Sequence, residues 1–205
     1  MTSARAEGFP VVHMTASDLH VRPRLLPARM ACVALAGAVL GTAWDLLHVK
    51  THTTIYSIGI GRMPLWVPLE FALAYVAGVI GIVRYGTVWR DEKSPSRLAG
   101  EVAWLTGVYA MTAFLHRYEI LVLALALIAL LARRRTLQTL LPLNQIPALA
   151  LVIAGPAVEA ILISSGVFDY TYATMGPIPL WLPALYANAI PFAIRLTEMT
   201  LEQRP

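Results

Sequence analysis

Three carboxyl side chains lie inside apolar stretches of this 205-residue sequence, where charged groups are rare. They are Asp45, Glu70 and Glu159. Acids inside a membrane are costly and usually face a cavity, a partner or a proton path. Such a group can donate a proton to a substrate, contact the polar headgroup of a ligand, or link two helices by hydrogen bonds. We favour the last two roles over catalysis.

A metal site is the second chemistry that spacing suggests. Asp45, His48 and His52 follow the spacing i, i+3 and i+7, which would place them on one face of a continuous helix. Two histidines and a carboxylate can hold a metal ion. However, the threonine-rich segment after Lys50 predicts that the helix ends there and separates them. We therefore predict no metal ion.

Other reaction motifs are missing from the sequence. It contains no glycine-rich phosphate loop, no Gly-x-Ser-x-Gly elbow and no aspartate-rich magnesium motif. The single cysteine, Cys32, excludes an intramolecular disulfide and a cysteine-ligated zinc site. We predict a protein that is not an enzyme and needs no cofactor.

Composition indicates the class of protein that must position these acids. Apolar residues make up 58% of the chain and charged residues 14%, against about 25% charged in a soluble domain. The mean hydropathy is +0.64. These values predict a multi-pass integral membrane protein. The net charge of +4 is then typical of cytoplasmic loops, and we expect no nucleic-acid partner.

Six apolar runs predict an all-α membrane protein with six transmembrane helices. A helix needs about 20 residues to cross the hydrocarbon core, and the fourth run is shorter than that. The predicted helices cover 28–47, 64–83, 98–115, 118–132, 146–165 and 179–196. We assign residues 1–27 to a disordered cytoplasmic tail, 28–197 to the membrane domain, and 198–205 to a cytoplasmic C-terminal tail.

The distribution of Lys and Arg predicts the orientation. Basic residues gather in the N-terminal tail, in the loops 84–97 and 133–145, and near the C-terminus. Cytoplasmic loops carry such an excess, so both termini are expected in the cytoplasm. Gly37 and Gly41 form a GxxxG step, which predicts a close helix contact either within the chain or between subunits of a homo-oligomer.

A short repeat opens the second and the sixth predicted helix. Residues 64–68 read Pro-Leu-Trp-Val-Pro and residues 179–183 read Pro-Leu-Trp-Leu-Pro. Proline suits the first turn of a helix and tryptophan suits the membrane interface, so convergence can explain both copies. The alternative is an old duplication of a helix pair, because each copy follows a polar loop on the outer side.

Motifs in the same order along the chain resemble those of the Insig family. Residues 45–52 (Asp-Leu-Leu-His-Val-Lys-Thr-His) and 65–68 (Leu-Trp-Val-Pro) resemble the end of the family's first helix and the start of its second. Residues 166–171 (Gly-Val-Phe-Asp-Tyr-Thr) and 181–183 (Trp-Leu-Pro) are similar to its Gly-Val-Tyr-x-Tyr-Thr and Trp-Leu-Pro. The resemblance covers about residues 30–197. Heavy use of Ala, Arg and Leu indicates a bacterial homologue, expected in the inner membrane.

The resemblance implies a function. Insig proteins are endoplasmic-reticulum membrane proteins that bind oxysterols and retain a sterol-sensing partner. It implies a helical bundle around an apolar cavity for a sterol-sized or acyl-chain lipid, such as diacylglycerol where sterols are absent. Animal members carry an aspartate before the basic run that follows the fourth helix, and Ala132 stands there in this chain. The connection between the third and fourth helices is also shorter. We therefore do not expect a partner of the animal kind.

The expected pocket lies between the helices in the outer half of the membrane. Glu70 and Glu159 fall at a similar depth, about 10 Å from the interface by helix rise. Both are expected to face inward, toward the lipid headgroup. The predicted ligand-binding residues are Trp44, Asp45, Glu70, Phe71, Val108, Tyr109, Glu159, Asn188 and Phe192. The alternative is that Glu70 and Glu159 each bond the backbone of a neighbouring helix, with the cavity elsewhere and open to the cytoplasm.

Two other functions remain open from the sequence. Membrane lycopene cyclases also use proline-rich helix starts followed by a glutamate, and the stretch 68–70 (Pro-Leu-Glu) is a weak match. In an isoprenoid or carotenoid cyclase or hydratase, Glu70 would be the proton donor to an alkene. A structural scaffold would hold no lipid at all.

Overall fold

The computed structural model describes residues 27–58, 61–86, 94–141 and 144–201. Nearly all of the predicted N-terminal tail and the last four residues lie outside this part of the chain. The described residues form seven helices and two short strands. They are α1 (Pro27–Lys50), β1 (Thr54–Tyr56), α2 (Val67–Tyr85), α3 (Pro95–Leu115), α4 (Glu119–Ala132), α5 (Arg134–Leu140), α6 (Gln145–Ser164), β2 (Phe168–Tyr170) and α7 (Leu182–Thr200).

Each of the six predicted apolar segments coincides with a helix to within a few residues. Helices α1, α2, α3 and α6 are long and apolar enough to cross a membrane. Helix α4 is apolar but has 14 residues. Helix α7 has 19 residues and is more polar. The short basic helix α5 was not predicted, because a loop assignment already explained its arginines.

Helix α7 is the centre of the bundle. It packs against all six other helices, and 12 of its 19 residues are buried. Helix α6, in contrast, buries only Ala148 and Pro156. Large apolar side chains on α2, α4 and α6 are exposed, as expected for helices that face lipid.

The GxxxG step packs within the chain. Gly37–Gly41 form a π-helical turn inside α1, and this turn lies against α2. A Cβ atom on Gly41 would lie 2.3 Å from the ring of Phe71, and one on Gly37 would lie 2.6 Å from the carbonyl oxygen of Phe71. Only glycine permits this approach. Of the two contacts that the sequence left open, the structure has the internal one.

Two three-residue strands join one end of the bundle. β1 follows α1, β2 follows α6, and the two pair antiparallel with Ile55 opposite Asp169. This end, named here the strand end, also holds the starts of α2 and α7. The all-α prediction missed the strands, because three residues are too few to show an alternating pattern.

Candidate functional site

The three acids lie close together near the strand end. Asp45 is near the end of α1, Glu159 is near the end of α6, and Glu70 is in the first turn of α2. They are near enough to interact electrostatically with one another. The structure therefore brings together the three carboxyl groups that the sequence singled out. None of the three is exposed.

Tyrosine hydroxyls bind two of the acids. Tyr56 donates a hydrogen bond to Asp45 with an oxygen–oxygen distance of 2.7 Å. Tyr186 donates one to Glu159 at 2.7 Å, and Tyr170 donates a second to the same carboxyl group. These bonds link α1 to β1, and α6 to both β2 and α7. Glu159 is thus held by side chains, where the alternative prediction expected backbone.

The tyrosines of the two strands stay protonated. Burial is the main cause that raises the pKa of Tyr56 above its usual range, and the nearby Asp45 carboxyl raises this pKa further. Burial and Glu159 do the same to the pKa of Tyr170. A neutral tyrosine keeps its hydroxyl proton, so both side chains remain hydrogen-bond donors to the carboxyl groups.

Two carboxyl groups keep free acceptor atoms. Glu70 is half-buried and accepts no hydrogen bond from the described residues, and neither does the second oxygen of Asp45. Glu159 differs, because each of its oxygens accepts one hydrogen bond. Free acceptors next to apolar side chains favour a ligand that can donate a hydrogen bond.

Aromatic rings fill the space beside the acids. Trp44 stacks on Tyr109 with ring centroids 5.1 Å apart, and its edge meets Phe192 at 5.7 Å. Tyr75 also contacts Phe192, with ring centroids 5.6 Å apart. Val108 is buried in the same cluster. Trp44, Val108, Tyr109 and Phe192 therefore lie together in one cluster. Phe71, also predicted to line the pocket, packs instead in a neighbouring cluster near the strands.

His48 is part of the same cluster and has a structural role there. Its Nε2 atom lies 2.8 Å from the Thr112 hydroxyl, and its ring packs between Tyr109 and Trp181. Helix α1 ends at Lys50, as the sequence predicts, and His52 lies beyond it with a φ of 60°. Within the described ranges, no three His, Cys, Asp or Glu residues come together as metal ligands.

Asn188 belongs to a separate polar link. Its Nδ2 atom donates to the carbonyl oxygens of Ala126 and Ala184 at 3.2 and 2.9 Å. Its Oδ1 atom accepts from the indole nitrogen of Trp104 at 3.2 Å. The side chain is buried and fully occupied in tying α7 to α3 and α4. Asn188 is one of the nine predicted site residues, but its contacts are those of a link between helices.

A small apolar cavity lies away from the acids, between α2, α6 and α7. It has about 190 Å³ of empty space, including its open mouth. Ile82 in the last turn of α2 and Asn144 before α6 place it near the end opposite the strands. The lining residues are Ile82, Asn144, Pro147, Ala148, Leu151, Ile190, Ala193 and Ile194.

An ion pair that the sequence does not predict lies at the end opposite the strands. Arg133 donates from both terminal nitrogens to the carboxyl group of Glu101, and its guanidinium lies 5.2 Å from the ring of Trp104. The pair joins the end of α4 to α3, directly after Ala132. Its components lie 32 residues apart, too far for any local pattern to reveal.

No family model matches the chain, but a curated protein and two crystal structures do. A curated INSIG protein homolog from Mycolicibacterium vanbaalenii is 28% identical over 193 residues, which cover 89% of this chain and 91% of the relative. A crystal structure of the mycobacterial Insig homolog MvINS from Mycobacterium vanbaalenii matches with a TM-score of 0.74 at 26% identity. The match covers 86% of this chain and 96% of MvINS. The chain is a bacterial Insig homologue.

Other findings fit this assignment. A second crystal structure, of a cross-linked MvINS trimer, matches with a TM-score of 0.73. As an Insig homologue with four helices able to span a membrane, the protein is a multi-pass membrane protein. The comparisons do not favour the isoprenoid enzyme that Glu70 suggested.

Proposed function

We propose that this Insig homologue is a non-enzymatic lipid-binding protein that crosses the membrane six times. Four helices have the length and composition to span. Helix α7 has 19 residues, equivalent to about 28 Å of helix, and its polar groups are enclosed by the other helices. Helix α4 is nearly all apolar, and counting it as a span gives an even number of crossings, so that both termini lie on one side of the membrane. The positions of Lys and Arg support cytoplasmic termini and a membrane domain spanning 28–197.

The proposed ligand is a sterol-sized or acyl-chain lipid such as diacylglycerol. The observation that carries this proposal is the juxtaposition of free carboxyl oxygens on Asp45 and Glu70 with the rings of Trp44, Tyr109 and Phe192. A neutral lipid has the matching shape, with one polar end and an apolar body. The rings must part to admit it. The proposed binding residues are Trp44, Asp45, Glu70, Phe71, Val108, Tyr109 and Phe192. Glu159 and Asn188, which the sequence also suggested, have their polar atoms occupied by other protein groups.

We also infer that the protein assembles with copies of itself. MvINS has been crystallised as a cross-linked trimer. In this chain Gly37 and Gly41 already contact α2, so the interface between subunits must use another surface. The exposed apolar faces of α2, α4 and α6 are the candidates. We place the protein in the bacterial inner membrane and expect no animal-type sterol-sensing partner, because Ala132 replaces the family's aspartate.

Co-purified lipid tests the binding proposal. The protein is purified in two detergents, denatured and extracted, and its lipids are compared by mass spectrometry with those of an unrelated membrane protein prepared from the same cells. We expect one neutral lipid class enriched at least tenfold in both detergents. A Trp44→Ala, Phe192→Ala variant should lose it. Equal lipid content in this protein and the control would contradict the proposal and favour a scaffold.

A further inference from the structure

The chain contains the same helix–strand unit twice. In each copy an acid near the end of a helix accepts a hydrogen bond from a strand tyrosine 11 residues later, Asp45 from Tyr56 and Glu159 from Tyr170. The residue two positions after each helix has a positive φ, 60° at His52 and 72° at Gly166. The copies are therefore α1–β1 and α6–β2.

Backbone hydrogen bonds repeat in the same order. The amide of Thr51 bonds the Leu47 carbonyl at 3.0 Å, and that of Ser165 bonds Ile161 at 3.0 Å. The strand pair is itself two-fold symmetric about Ile55 and Asp169. The Ser57 amide donates to Val167 and the Thr171 amide donates to Thr53, both at 3.1 Å.

The helix that follows each strand belongs to the repeat as well. Helices α2 and α7 each begin directly after a tryptophan, with a proline in the first turn. A Cβ atom on Gly41 would strike the ring of Phe71 at 2.3 Å, and one on Gly155 would strike the ring of Tyr186 at 2.2 Å. Each glycine lies four residues before its acid. Phe71 and Tyr186 are thus equivalent positions.

The two copies differ in how they satisfy their acid. In the second copy the hydroxyl of Tyr186 gives Glu159 its second hydrogen bond. In the first copy Phe71 has no hydroxyl to give to Asp45, and the preceding residue is Glu70 where the second copy has Leu185. Both oxygens of the acid in the second copy are therefore hydrogen-bonded, whereas Asp45 and Glu70 in the first copy keep free acceptors.

A buried hydroxyl marks the first copy independently. Thr54 stands where the two-fold places Phe168 in the second copy. Its side chain is 2% exposed, and its oxygen has no hydrogen-bond partner in the part of the chain that the structure describes. It lies on the same face of β1 as Tyr56, which binds Asp45. A buried polar atom without a partner indicates a missing hydrogen-bonding group. In the second copy, the indole nitrogen of Trp181 is also buried without a partner among the described residues.

We propose that the first copy is the recognition site for the free hydroxyl group of an uncharged lipid. Asp45 and Glu70 accept the hydrogen bond that the lipid hydroxyl donates, in the place where Tyr186 donates to Glu159 in the second copy. Glu159 then only holds the fold. This inference rests on the proposed lipid-binding function and narrows its ligand to lipids that present a hydroxyl donor, whether a diacylglycerol or a sterol.

Two probe lipids and a grafted variant test this assignment. 1,2-Dioleoylglycerol carries the hydroxyl, and 1,2-dioleoyl-3-acetylglycerol has it blocked. The full-length wild type should bind the first at least tenfold more tightly. Copying the second repeat into the first by Asp45→Glu and Phe71→Tyr should fill the site with a protein hydroxyl and reduce the preference to about onefold. Glu70→Leu, which should fold because Glu70 has no described partner, is expected to lower the preference in the same direction.

Each outcome has one meaning. Phe114→Tyr adds the same hydroxyl to an exposed ring and should leave the preference unchanged. Equal binding of both lipids to the wild type would overturn the inference while leaving the proposed function standing. No binding of either lipid would overturn the proposed function itself. If Glu70→Leu and the grafted variant both kept the wild-type preference for the lipid with a free hydroxyl, the lipid hydroxyl would bind elsewhere. If the grafted variant does not fold, the result for Glu70→Leu alone decides whether the inference holds.

Discussion

Replacing Gly41 by alanine tests the contact between α1 and α2 that brings Asp45 and Glu70 together. The new methyl group would lie 2.3 Å from Cγ, 2.4 Å from Cδ1 and 2.7 Å from Cβ of Phe71. These atoms are near the Phe71 backbone, so a simple ring rotation cannot relieve the clash. Overpacking of this kind costs about 1–3 kcal/mol.

Alanine is more favourable than glycine inside a helix by about 1 kcal/mol. A matched glycine-to-alanine variant at an open position measures this contribution, which can then be subtracted. A Cβ atom on Gly81, in α2, meets nothing within 4 Å. Gly81→Ala should therefore raise the free energy of unfolding, and Gly41→Ala should lie about 1–3 kcal/mol below it.

Unfolding in a mild detergent, followed by circular dichroism or tryptophan fluorescence, measures this difference. The proximity of Asp45 and Glu70 also predicts that Gly41→Ala weakens binding of 1,2-dioleoylglycerol, whereas Gly81→Ala does not. If both alanine variants were equally stabilised, the packing of α1 on α2 described here would be wrong.

Tyr186→Phe should lower the free energy of unfolding by about 1–3 kcal/mol because Glu159 loses a donor, and an unchanged melting temperature would refute that link. Arg133→Ala should cost about 3–5 kcal/mol because Glu101 is left buried without its partner, whereas Arg133→Met combined with Glu101→Leu should recover most of this loss in the same melt. Because the pKa of Tyr56 is raised in the folded state, its stabilisation is complete below the unfolded value of about 10 and is lost as the pH rises further. Tyr56→Phe should flatten the fall in melting temperature above pH of about 10, and an identical alkaline profile would contradict the role given to Tyr56.

Helix positions were predictable from the sequence, whereas their order of burial was not. Apolar runs and proline-containing starts located the six main helices to within a few residues. The centre of the bundle is α7, although Arg195 and Glu198 make it look suited to a boundary. These two side chains pair with each other at 2.7 Å, so a helix with charges is accommodated in the middle. The spacing of Arg195 and Glu198 permits this ion pair, but the sequence does not show that the two side chains are buried and need it.

The acids of the candidate site were predictable, and their hydrogen-bond partners were not. An acid inside a membrane segment is conspicuous because it is costly. Tyr56 and Tyr170 lie in loops by sequence, and only the strand pairing turns them back toward α1 and α6. The common spacing of 11 residues was the available signal. The polarity of Asn188 predicts a place in the pocket, whereas its contacts are those of a link between helices.

Photo-crosslinking with a diacylglycerol that carries a diazirine in one acyl chain tests most directly where lipid binds. The purified protein is irradiated with the probe, digested and analysed by peptide mass spectrometry, with and without excess 1,2-dioleoylglycerol. Lipid between the helices predicts competable adducts on the peptides that contain Trp44, Tyr109 and Phe192. Adducts confined to exposed side chains such as Leu73 and Ile153, unaffected by the competitor, would show that lipid only surrounds the bundle and would contradict a binding site inside it.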